Sequence, residues 1–327
     1  MTFSRRSAFG VGTAGALALV ATAVTPAAAE WKPVKPVEFV VMAGQGGGAD
    51  KLARFIQSII EKNKFADVPF IPINKGGGSG ADALRYLKDN AGNDHVIMAT
   101  LNSYYTTPLR NPGIGVNINE FTPIARLAED TFVLWVNANS DIKTVEDYIK
   151  VVKEKGTGWK MGGTGTGQED SLVTAMLEKA YGLKMTYVPF KGGGDVAVNL
   201  VGQHVDSTVN NPSEAIGFFE AGKVRPLASL TREPITELKD VPTFKSLGQD
   251  LVYRMQRSVV APGGIKPEVA DYYKSIFEKV FASTEWKDYC KKNALQCAWL
   301  SGDDLKKYFD EEEAKHAALL KEMGEIK

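Results

Sequence analysis

This 327-residue sequence has few of the residues that usually form metal centres. It contains two cysteines and three histidines, and His95, His204 and His316 lie far apart with no H-x-x-x-H or C-x-x-C spacing around them. Zinc sites normally take their ligands from closely spaced cysteines and histidines. The sequence therefore predicts no metal site and no cofactor.

The sequence also lacks an excess of charge of either sign. Its 39 Lys and Arg residues balance its 39 Asp and Glu residues. Proteins that bind nucleic acids or anionic membranes usually present a basic surface. We therefore expect no nucleic-acid partner.

The N-terminal apolar stretch is too short to be a membrane span. Arg5 and Arg6 precede an uncharged apolar segment, residues 9–24, and an Ala-x-Ala sequence follows that ends at Ala29. A spanning helix needs about 20 strongly apolar residues, whereas a basic start, a short apolar segment and small residues are typical of a secretory signal. We predict a signal peptide, cleaved after Ala29, and a periplasmic mature protein.

Two consequences of export stay open in the sequence. Residues 4–9 resemble a twin-arginine signal, although Ala8 stands where a larger apolar residue is expected, so the export route is not decided. Cys290 and Cys297 are seven positions apart, and an oxidising compartment permits a disulfide between them. The sequence does not show whether the chain turns sharply enough to join the two sulfurs.

One pattern occurs twice in the chain. In each copy an apolar run is followed by a glycine-rich turn, a helical pattern, a second apolar run and a Lys-Gly-Gly-Gly turn. These turns lie at residues 44–48 and 75–78 in the first copy and at 162–167 and 191–194 in the second. Alternating strands and helices predict parallel sheets covered by helices. The repetition predicts two lobes of similar topology with a cleft between them.

The glycine-rich turns are the predicted binding site. Glycine lets backbone N–H groups approach a ligand closely, and each turn precedes a helix whose first N–H groups lack partners and attract anions. In open α/β sheets ligands bind beyond the carboxyl ends of the strands, where these turns lie. The alternative is that the glycines only make tight turns, which two turns in matching positions disfavour. We predict that a small carboxylate binds there.

The candidate ligand contacts come from both turns and from polar residues that follow other apolar runs. They are Gln45, Gly46, Gly47, Gly48, Ala49, Asn102, Ser103, Tyr104, Thr164, Gly165, Thr166, Gly167, Gln168, Ser171 and Asn210. Asp50, Glu169 and Asp170 lie near the same helix starts, where acidic residues are common. Because they would repel an anionic ligand, we expect their side chains to point away from it.

Six motifs follow one another along nearly the whole chain after residue 30. They are Gly46-Gly47-x-x-Asp50-x-x-Ala53-Arg54, Asn74-x-x-Gly77-x-x-Gly80, Val188-Pro189-Phe190-Lys191-Gly192, Ala221-Gly222-Lys223-x-Arg225-Pro226-Leu227-Ala228, Asp240-Val241-Pro242-Thr243 and Ala261-Pro262-Gly263-Gly264. Together they resemble the substrate-binding proteins of tripartite tricarboxylate transporters, the Bug-type receptors. One departure lies at residues 167–171, where Gly-Ser-x-x-His is common in that family and Gly-Gln-Glu-Asp-Ser stands here. The carboxylate contacts at that end stay open, with the Gln168 amide as a candidate donor.

The resemblance implies a Venus-flytrap periplasmic binding protein of type II, in which each α/β lobe is a mixed sheet flanked by helices and two strands cross between the lobes. It places lobe 1 at residues 30–127 and 253–327 and lobe 2 at residues 128–252. The implied function is capture of a small carboxylate, most simply a dicarboxylate, for the membrane permease of a tripartite tricarboxylate-type transporter. The implied protein is a monomer and not an enzyme.

Two other functions agree with parts of the sequence. Residues 44–49 match the G-x-G-x-x-[GA] dinucleotide fingerprint, but Asn74 and Lys75 stand at the end of the next strand, where that site has an acidic residue. This disfavours a nucleotide-dependent oxidoreductase. An exported ligand-sensing module that signals to a membrane receptor would share the two-lobed fold, and the sequence does not separate it from a transport receptor.

Overall fold

The computed structural model describes residues 1–3 and 31–327. The predicted signal peptide, its cleavage site and the twin-arginine sequence lie almost entirely outside these residues. Residues 31–327 form one compact unit. Within the described ranges no helix combines the length and the apolar character that crossing a membrane requires.

The strands and helices alternate through most of the chain, as the sequence predicts. In chain order they are β1 (Val37–Val41), α1 (Gly48–Lys62), β2 (Phe70–Asn74), α2 (Ala81–Asp89), β3 (Val96–Thr100), α3 (Ser103–Arg110), β4 (Thr122–Thr131), β5 (Val133–Asn137), α4 (Val145–Lys155), β6 (Lys160–Gly163), α5 (Glu169–Tyr181), β7 (Thr186–Pro189), α6 (Gly193–Val201), β8 (Ser207–Thr208), α7 (Pro212–Glu220), β9 (Val224–Ser229), β10 (Arg254–Ala261), α8 (Pro267–Ala282), α9 (Thr284–Lys292), β11 (Gln296–Ser301) and α10 (Gly302–Glu322).

These strands form two mixed sheets that share one β-α-β-α-β unit. The first has the spatial order β11-β4-β10-β3-β1-β2 and the second β7-β6-β8-β5-β9. In the first, β1 is parallel to both β2 and β3; in the second, β6 is parallel to both β7 and β8. The unit β1-α1-β2-α2-β3 thus corresponds to β6-α5-β7-α6-β8. The predicted two-lobed α/β fold is confirmed, and we call the halves lobe 1 and lobe 2.

Two long strands join the lobes. β4 and β10 run antiparallel and pair along residues 122–131 and 254–261. The chain leaves the first sheet at Phe132, which separates β4 from β5, and returns through residues 230–253 between β9 and β10. β4 therefore continues four residues beyond the predicted boundary at residue 127 before the chain changes sheet.

The parallel strands of lobe 1 are buried on both faces, which explains their nearly continuous apolar sequence. In β1, Val37, Phe39, Val40 and Val41 have no exposed surface. Helices on each side supply the partners for these side chains, and burial of one such side chain contributes about 1.5–3 kcal/mol. This packing fixes the carboxyl end of β1, where the first glycine-rich turn begins.

The two cysteines, whose pairing the sequence leaves open, form a disulfide in this structure. Cys290 lies in the last turn of α9 and Cys297 on β11, with their Cα atoms 6.0 Å apart. The chain reverses between them at Ala294, which has a φ of +55°. This reversal is the turn that the spacing alone could not establish.

Candidate functional site

Helices of both lobes begin where the two lobes meet. In lobe 1, α1 follows β1 and α3 follows β3; in lobe 2, α5 follows β6 and α7 follows β8. Because the parallel strands of each sheet end at the same edge, the helices that follow them start together. The first N–H groups and the positive ends of the helix dipoles thus converge from both lobes on one cleft.

A small cavity lies between these helix starts. Its volume is about 30 Å³, far below the roughly 300–1,000 Å³ of typical ligand pockets. It is lined by Ala43, Gly47, Gly48, Ala49, Leu101, Thr164, Gln168, Glu169, Asp170, Lys191, Gly192, Gly193, Asn211, Glu214, Met255 and Arg257. The lining combines residues of both lobes, so the lobes are closed on one another in this structure.

The first glycine-rich turn packs directly on the Lys-Gly-Gly-Gly turn of lobe 2. A Cβ atom added to Gly44 would lie 2.4 Å from the Lys191 carbonyl oxygen, and one added to Gly194 would lie 2.8 Å from the Gly46 carbonyl oxygen. Both distances are far shorter than a van der Waals contact. These glycines therefore permit the backbones of the two lobes to touch.

The second glycine-rich turn meets lobe 1 in the corresponding way. The Ser79 hydroxyl donates to the Thr166 carbonyl at 2.9 Å, and Arg110 Nη1 donates to the same carbonyl at 3.1 Å. Ser79 directly follows the Lys-Gly-Gly-Gly turn of lobe 1. Each lobe thus places its glycine-rich turn against the Lys-Gly-Gly-Gly region of the other, an arrangement with approximate twofold symmetry.

The same local hydrogen bond holds both glycine-rich turns. The Gly46 N–H donates to Asp50 Oδ2 at 3.0 Å, and the Gly167 N–H donates to Ser171 Oγ at 2.6 Å. In both cases the acceptor is four residues further along, and the glycine has a positive φ of +76° or +84°. Ser171 therefore stabilises its own turn in the way that Asp50 does in lobe 1.

Two carboxylates of lobe 2 occupy helix starts of lobe 1. Glu214 Oε1 accepts the Gly48 N–H of α1 at 2.8 Å, and Glu169 Oε1 accepts the Ser103 N–H of α3. Such positions favour anions because the helix N-terminus carries partial positive charge. The N–H groups of Gly48 and Ser103 are thus bonded to carboxylates of the chain itself.

The expectation that the first-turn acids point away from the cleft is wrong for Glu169 and Asp170. Both are buried and line the cavity. Asp170 Oδ2 accepts the Thr164 N–H at 2.9 Å, and Glu169 has its partner across the cleft. The general preference of acids for a helix start does not specify which N–H group the carboxylate bonds: Asp170 bonds one in its own turn, and Glu169 bonds one of the other lobe.

Burial changes the titration of these acids. It raises the pKa of the Glu169 carboxyl. It also raises the pKa of the Asp170 carboxyl well above its ordinary value, and the nearby Glu214 carboxylate raises it further. Desolvation and like charge both disfavour the ionised form of an acid. Burial therefore favours the neutral, protonated form of Glu169 and Asp170.

The buried cation of the cleft is already paired. Arg257 lines the cavity from β10, and its Nε donates to Asp130 Oδ2 at 3.1 Å, while its Nη2 donates to the same oxygen. Nη2 also lies 3.3 Å from Asn211 Oδ1. Both residues of this ion pair are buried, so Asp130 neutralises the guanidinium between the paired strands β4 and β10.

Five of the residues predicted from the sequence line the cavity: Gly47, Gly48, Ala49, Thr164 and Gln168. Among the others, Gln45, Gly46, Gly165, Thr166 and Gly167 belong to the same two turns, and Ser103 begins α3, but they are not part of the lining.

Asn102, Tyr104 and Asn210 have other partners. Asn102 Nδ2 donates to the Arg254 carbonyl at 2.8 Å, and the Tyr104 hydroxyl donates to the Ile118 carbonyl at 3.1 Å. Asn210 Nδ2 donates to the Gly193 carbonyl and to Glu214, at 2.9 Å each. Their contact with a ligand stays a prediction.

Sequence reasoning missed several lining residues. Lys191 and the glycines after it belong to the repeated turn, which could have indicated them. Glu214 follows Asn211 by three positions, a spacing typical of a capping box, and this predicts a helix start but no cavity. Arg257 lies on the returning strand β10, and no local pattern marks it.

A two-lobed α/β fold with helix starts of both lobes around a central cleft defines the class of solute-binding proteins. The family model described as "Tripartite tricarboxylate transporter family receptor" matches residues 52–325. The chain belongs to this family, as the resemblance predicted, and the family consists of periplasmic binding proteins that are not enzymes.

Individual relatives agree with this assignment. The chain is 25% identical over 315 residues to the "UPF0065 protein in gbd 5'region" of Cupriavidus necator, covering 96% of this chain and 95% of the relative. It is 23% identical over 259 residues to protein BugT of Bordetella pertussis, covering 76% of this chain and 78% of that one.

Solved structures share the fold at low sequence identity. The periplasmic binding protein BugD has a TM-score of 0.84 and 21% identity, covering 89% of this chain and 98% of that one. Rpa4515 of R. palustris, solved with adipate, has a TM-score of 0.83 and 23% identity, with the same coverage of 89% and 98%. MatC of Rhodopseudomonas palustris, solved with malate, has a TM-score of 0.79 and 19% identity, covering 88% and 99%.

Proposed function

We propose that this chain is a periplasmic receptor that captures a small carboxylate between its lobes and delivers it to the membrane permease of a tripartite tricarboxylate-type transporter. The observation that carries the proposal is that helix starts of both lobes line one cleft, that of α1 in lobe 1 and those of α5, α6 and α7 in lobe 2. The solved relatives with adipate and malate contain dicarboxylates, which supports a dicarboxylate as the ligand here as well.

The energetics of such a site are sufficient for a micromolar receptor. An anion at a helix start gains about 0.3–2 kcal/mol from the dipole, and a charge-assisted hydrogen bond contributes roughly 1.5–3 kcal/mol. Three or four such bonds reach the roughly −8 kcal/mol of a micromolar complex.

Ligand entry requires the lobes to separate, because the closed cleft, at about 30 Å³, is far smaller than the roughly 300–1,000 Å³ of typical ligand pockets. We assign residues 30–127 and 253–327 to lobe 1 and residues 128–252 to lobe 2. β4 and β10 then form the hinge. Ligand contacts from both lobes favour the closed state.

A thermal-shift screen of the mature protein tests the proposal, followed by calorimetric titration of the hits. The panel contains mono-, di- and tricarboxylates, sugars and nucleosides. A ligand that binds only the folded state at 100 times its Kd stabilises the protein by about 2.7 kcal/mol. We expect carboxylates to raise the melting temperature, and dicarboxylates most. Shifts with sugars or nucleosides alone would contradict the proposal.

Delivery is tested separately. The permease subunits of a tripartite tricarboxylate-type transporter are reconstituted in vesicles, and uptake of the labelled carboxylate hit is measured with and without the receptor. We expect uptake to depend on the receptor. A receptor that binds its ligand without promoting uptake would instead support the ligand-sensing alternative.

A further inference from the structure

The C-terminal end of α10 lies where the two lobes meet, outside the lining of the cavity. We propose that Arg110, oriented by Glu325, is a positioning residue for ligand capture that ties the second glycine-rich turn of lobe 2 to lobe 1. With the ion pair between Lys179 and Glu322 it forms a C-terminal latch that slows reopening of the closed lobes. This inference rests on the proposed separation of the lobes for ligand entry.

A helix cap fixes the position of Glu325. The Gly324 N–H donates to the Lys321 carbonyl at 3.0 Å, and Gly324 has a φ of +74°. The Glu325 N–H donates to the Leu320 carbonyl at 2.9 Å. These two bonds are those of the Schellman motif, in which a glycine in the left-handed conformation ends a helix. The backbone of Glu325 is therefore held by α10 itself.

Arg110 connects this cap to lobe 2. It is the last residue of α3, where the helix dipole favours a cation. Its Nε donates to Glu325 Oε2 at 3.2 Å and its Nη2 donates to the same oxygen at 2.6 Å, while its Nη1 donates to the Thr166 carbonyl at 3.1 Å. Because the guanidinium is a rigid planar group, its bonds to Glu325 fix the direction of the Nη1 donor.

The second glycine-rich turn accommodates the guanidinium closely. A Cβ atom added to Gly167 would overlap Arg110 Nη1, so the guanidinium occupies the place of a side chain at this position. The Ser79 hydroxyl of lobe 1 donates to the same Thr166 carbonyl at 2.9 Å. Thr164 of this turn lines the cavity. A change in the position of the turn would therefore move one wall of the binding site.

An ion pair joins the lobes three residues before Glu325. Lys179 Nζ, on α5 of lobe 2, pairs with the carboxylate of Glu322, the last residue of α10 in lobe 1. The two side chains are 58% and 60% exposed. An exposed pair shifts an equilibrium by about 1.4- to 5-fold, so this pair supports the Arg110 contact and does not replace it.

The two carboxylates of the latch contradict a local preference of helices. Glu322 is the last residue of α10 and Glu325 lies just beyond it, where the negative end of the helix dipole disfavours acids. Their partners, Lys179 and Arg110, come from other helices. Residues that break a local rule are expected mainly at functional sites. The placement of both acids thus agrees with a role in closure.

Stopped-flow fluorescence tests the latch through the rate constants of binding. The probes are succinate, glutarate, adipate and malate, added to the mature protein. In Arg110→Ala we expect the dissociation rate constant to rise about 2- to 12-fold, as for the loss of one net hydrogen bond. The association rate constant should stay within about twofold of the wild type, because the latch forms only after the lobes close.

A charge swap distinguishes the latch from a general loss of stability. Lys179→Glu and Glu322→Lys should each raise the dissociation rate constant about 1.4- to 5-fold, and the double variant should reverse most of the increase because the pair forms again. The matched control is the pair of Lys306 and Asp310 at 3.0 Å, which lies within α10 and is 52% and 50% exposed. Lys306→Glu should leave the dissociation rate constant unchanged.

Small-angle scattering of the ligand-free protein gives a measurement that needs no ligand. We expect a larger radius of gyration in Arg110→Ala combined with Lys179→Glu than in the wild type, because the closed state loses both contacts. Lys306→Glu again serves as the control and should keep the wild-type radius.

The outcomes separate the latch from the proposed function. Wild-type dissociation rate constants in Arg110→Ala, or a charge swap that does not reverse the effect of its single variants, would overturn the latch and leave the proposed function supported. The absence of binding by every carboxylate of the panel would contradict the proposed function. In that case a larger radius in the combined variant would still support the latch, and equal radii would overturn it as well.

Discussion

Gly44→Ala is expected to prevent full closure of the two lobes. The added Cβ would lie 2.4 Å from the Lys191 carbonyl oxygen and 2.9 Å from its carbon. Both atoms belong to the backbone, so no side chain can rotate away. Relief of the overlap requires the first glycine-rich turn and the Lys-Gly-Gly-Gly turn of lobe 2 to separate by about 1 Å, to an ordinary van der Waals distance.

The size of the effect follows from this overlap. Overpacking of a well-packed contact by one methyl group costs about 1–3 kcal/mol. Since Gly44 lies at the lobe contact rather than inside either core, this cost falls on the closed state. If ligands bind the closed state, their Kd should rise about 5- to 150-fold, while far-UV circular dichroism stays unchanged.

Calorimetry with the best carboxylate of the screen measures the affinity, and small-angle scattering of the ligand-free protein measures its radius of gyration. We expect a higher Kd and a larger radius in Gly44→Ala. Gly158→Ala is the control, because nothing lies within 4 Å of its added Cβ. Wild-type affinity and radius in Gly44→Ala would refute the account of closure.

Three further predictions concern the cleft and the C-terminal region. Gly47→Val should raise the Kd at least about tenfold in calorimetry, because its side chain enters a cleft where its Cβ is already 3.3 Å from the Gly193 nitrogen. Asp170→Asn should remove part of the pH dependence of the free energy of unfolding. Burial raises the pKa of this carboxyl in the folded state, so the folded protein binds more protons than the unfolded chain, and stability falls as pH rises above about 4, by at most about 1.4 kcal/mol per pH unit. Replacing Cys290 and Cys297 by serine should lower the free energy of unfolding by about 2–3 kcal/mol in urea, as expected for the short loop that the disulfide closes.

Each of these predictions has a contradicting result. Unaltered affinity of Gly47→Val would move the binding site elsewhere, and Gly158→Val again serves as the control. If the free energy of unfolding depends on pH in the same way in Asp170→Asn and in the wild type, then the Asp170 carboxyl has the same pKa in the folded and the unfolded chain. Equal stability of the cysteine variant and the oxidised wild type would show that the disulfide does not restrain the unfolded chain.

The sequence was sufficient for the repeated topology and for the position of the cleft. The two glycine-rich turns precede α1 and α5, and their corresponding glycines, Gly46 and Gly167, have nearly the same positive φ. Glycine is favoured at such a position because, without a Cβ atom, it adopts a positive φ at no steric cost. The pattern of strands, turns and helices therefore carried enough information to place both turns at the carboxyl ends of strands.

The contacts across the cleft could not be predicted in the same way. Glu169 bonds the start of α3 and Glu214 the start of α1, and each pair joins residues that are far apart in the chain. Arg257 reaches the cavity from a strand that returns after the whole of lobe 2. A side chain's distant partner is set by the packing of the lobes, which has no local signature in the sequence.

The most direct test of the account is a crystal structure of the mature protein with the tightest-binding carboxylate from the screen. We expect the carboxylate between the lobes, within hydrogen-bond distance of residues that follow β1 or β3 and of residues that follow β6 or β8. A ligand that contacts one lobe alone, or that occupies the surface groove beside Phe55 and Tyr289 between α1 and α9, would contradict it.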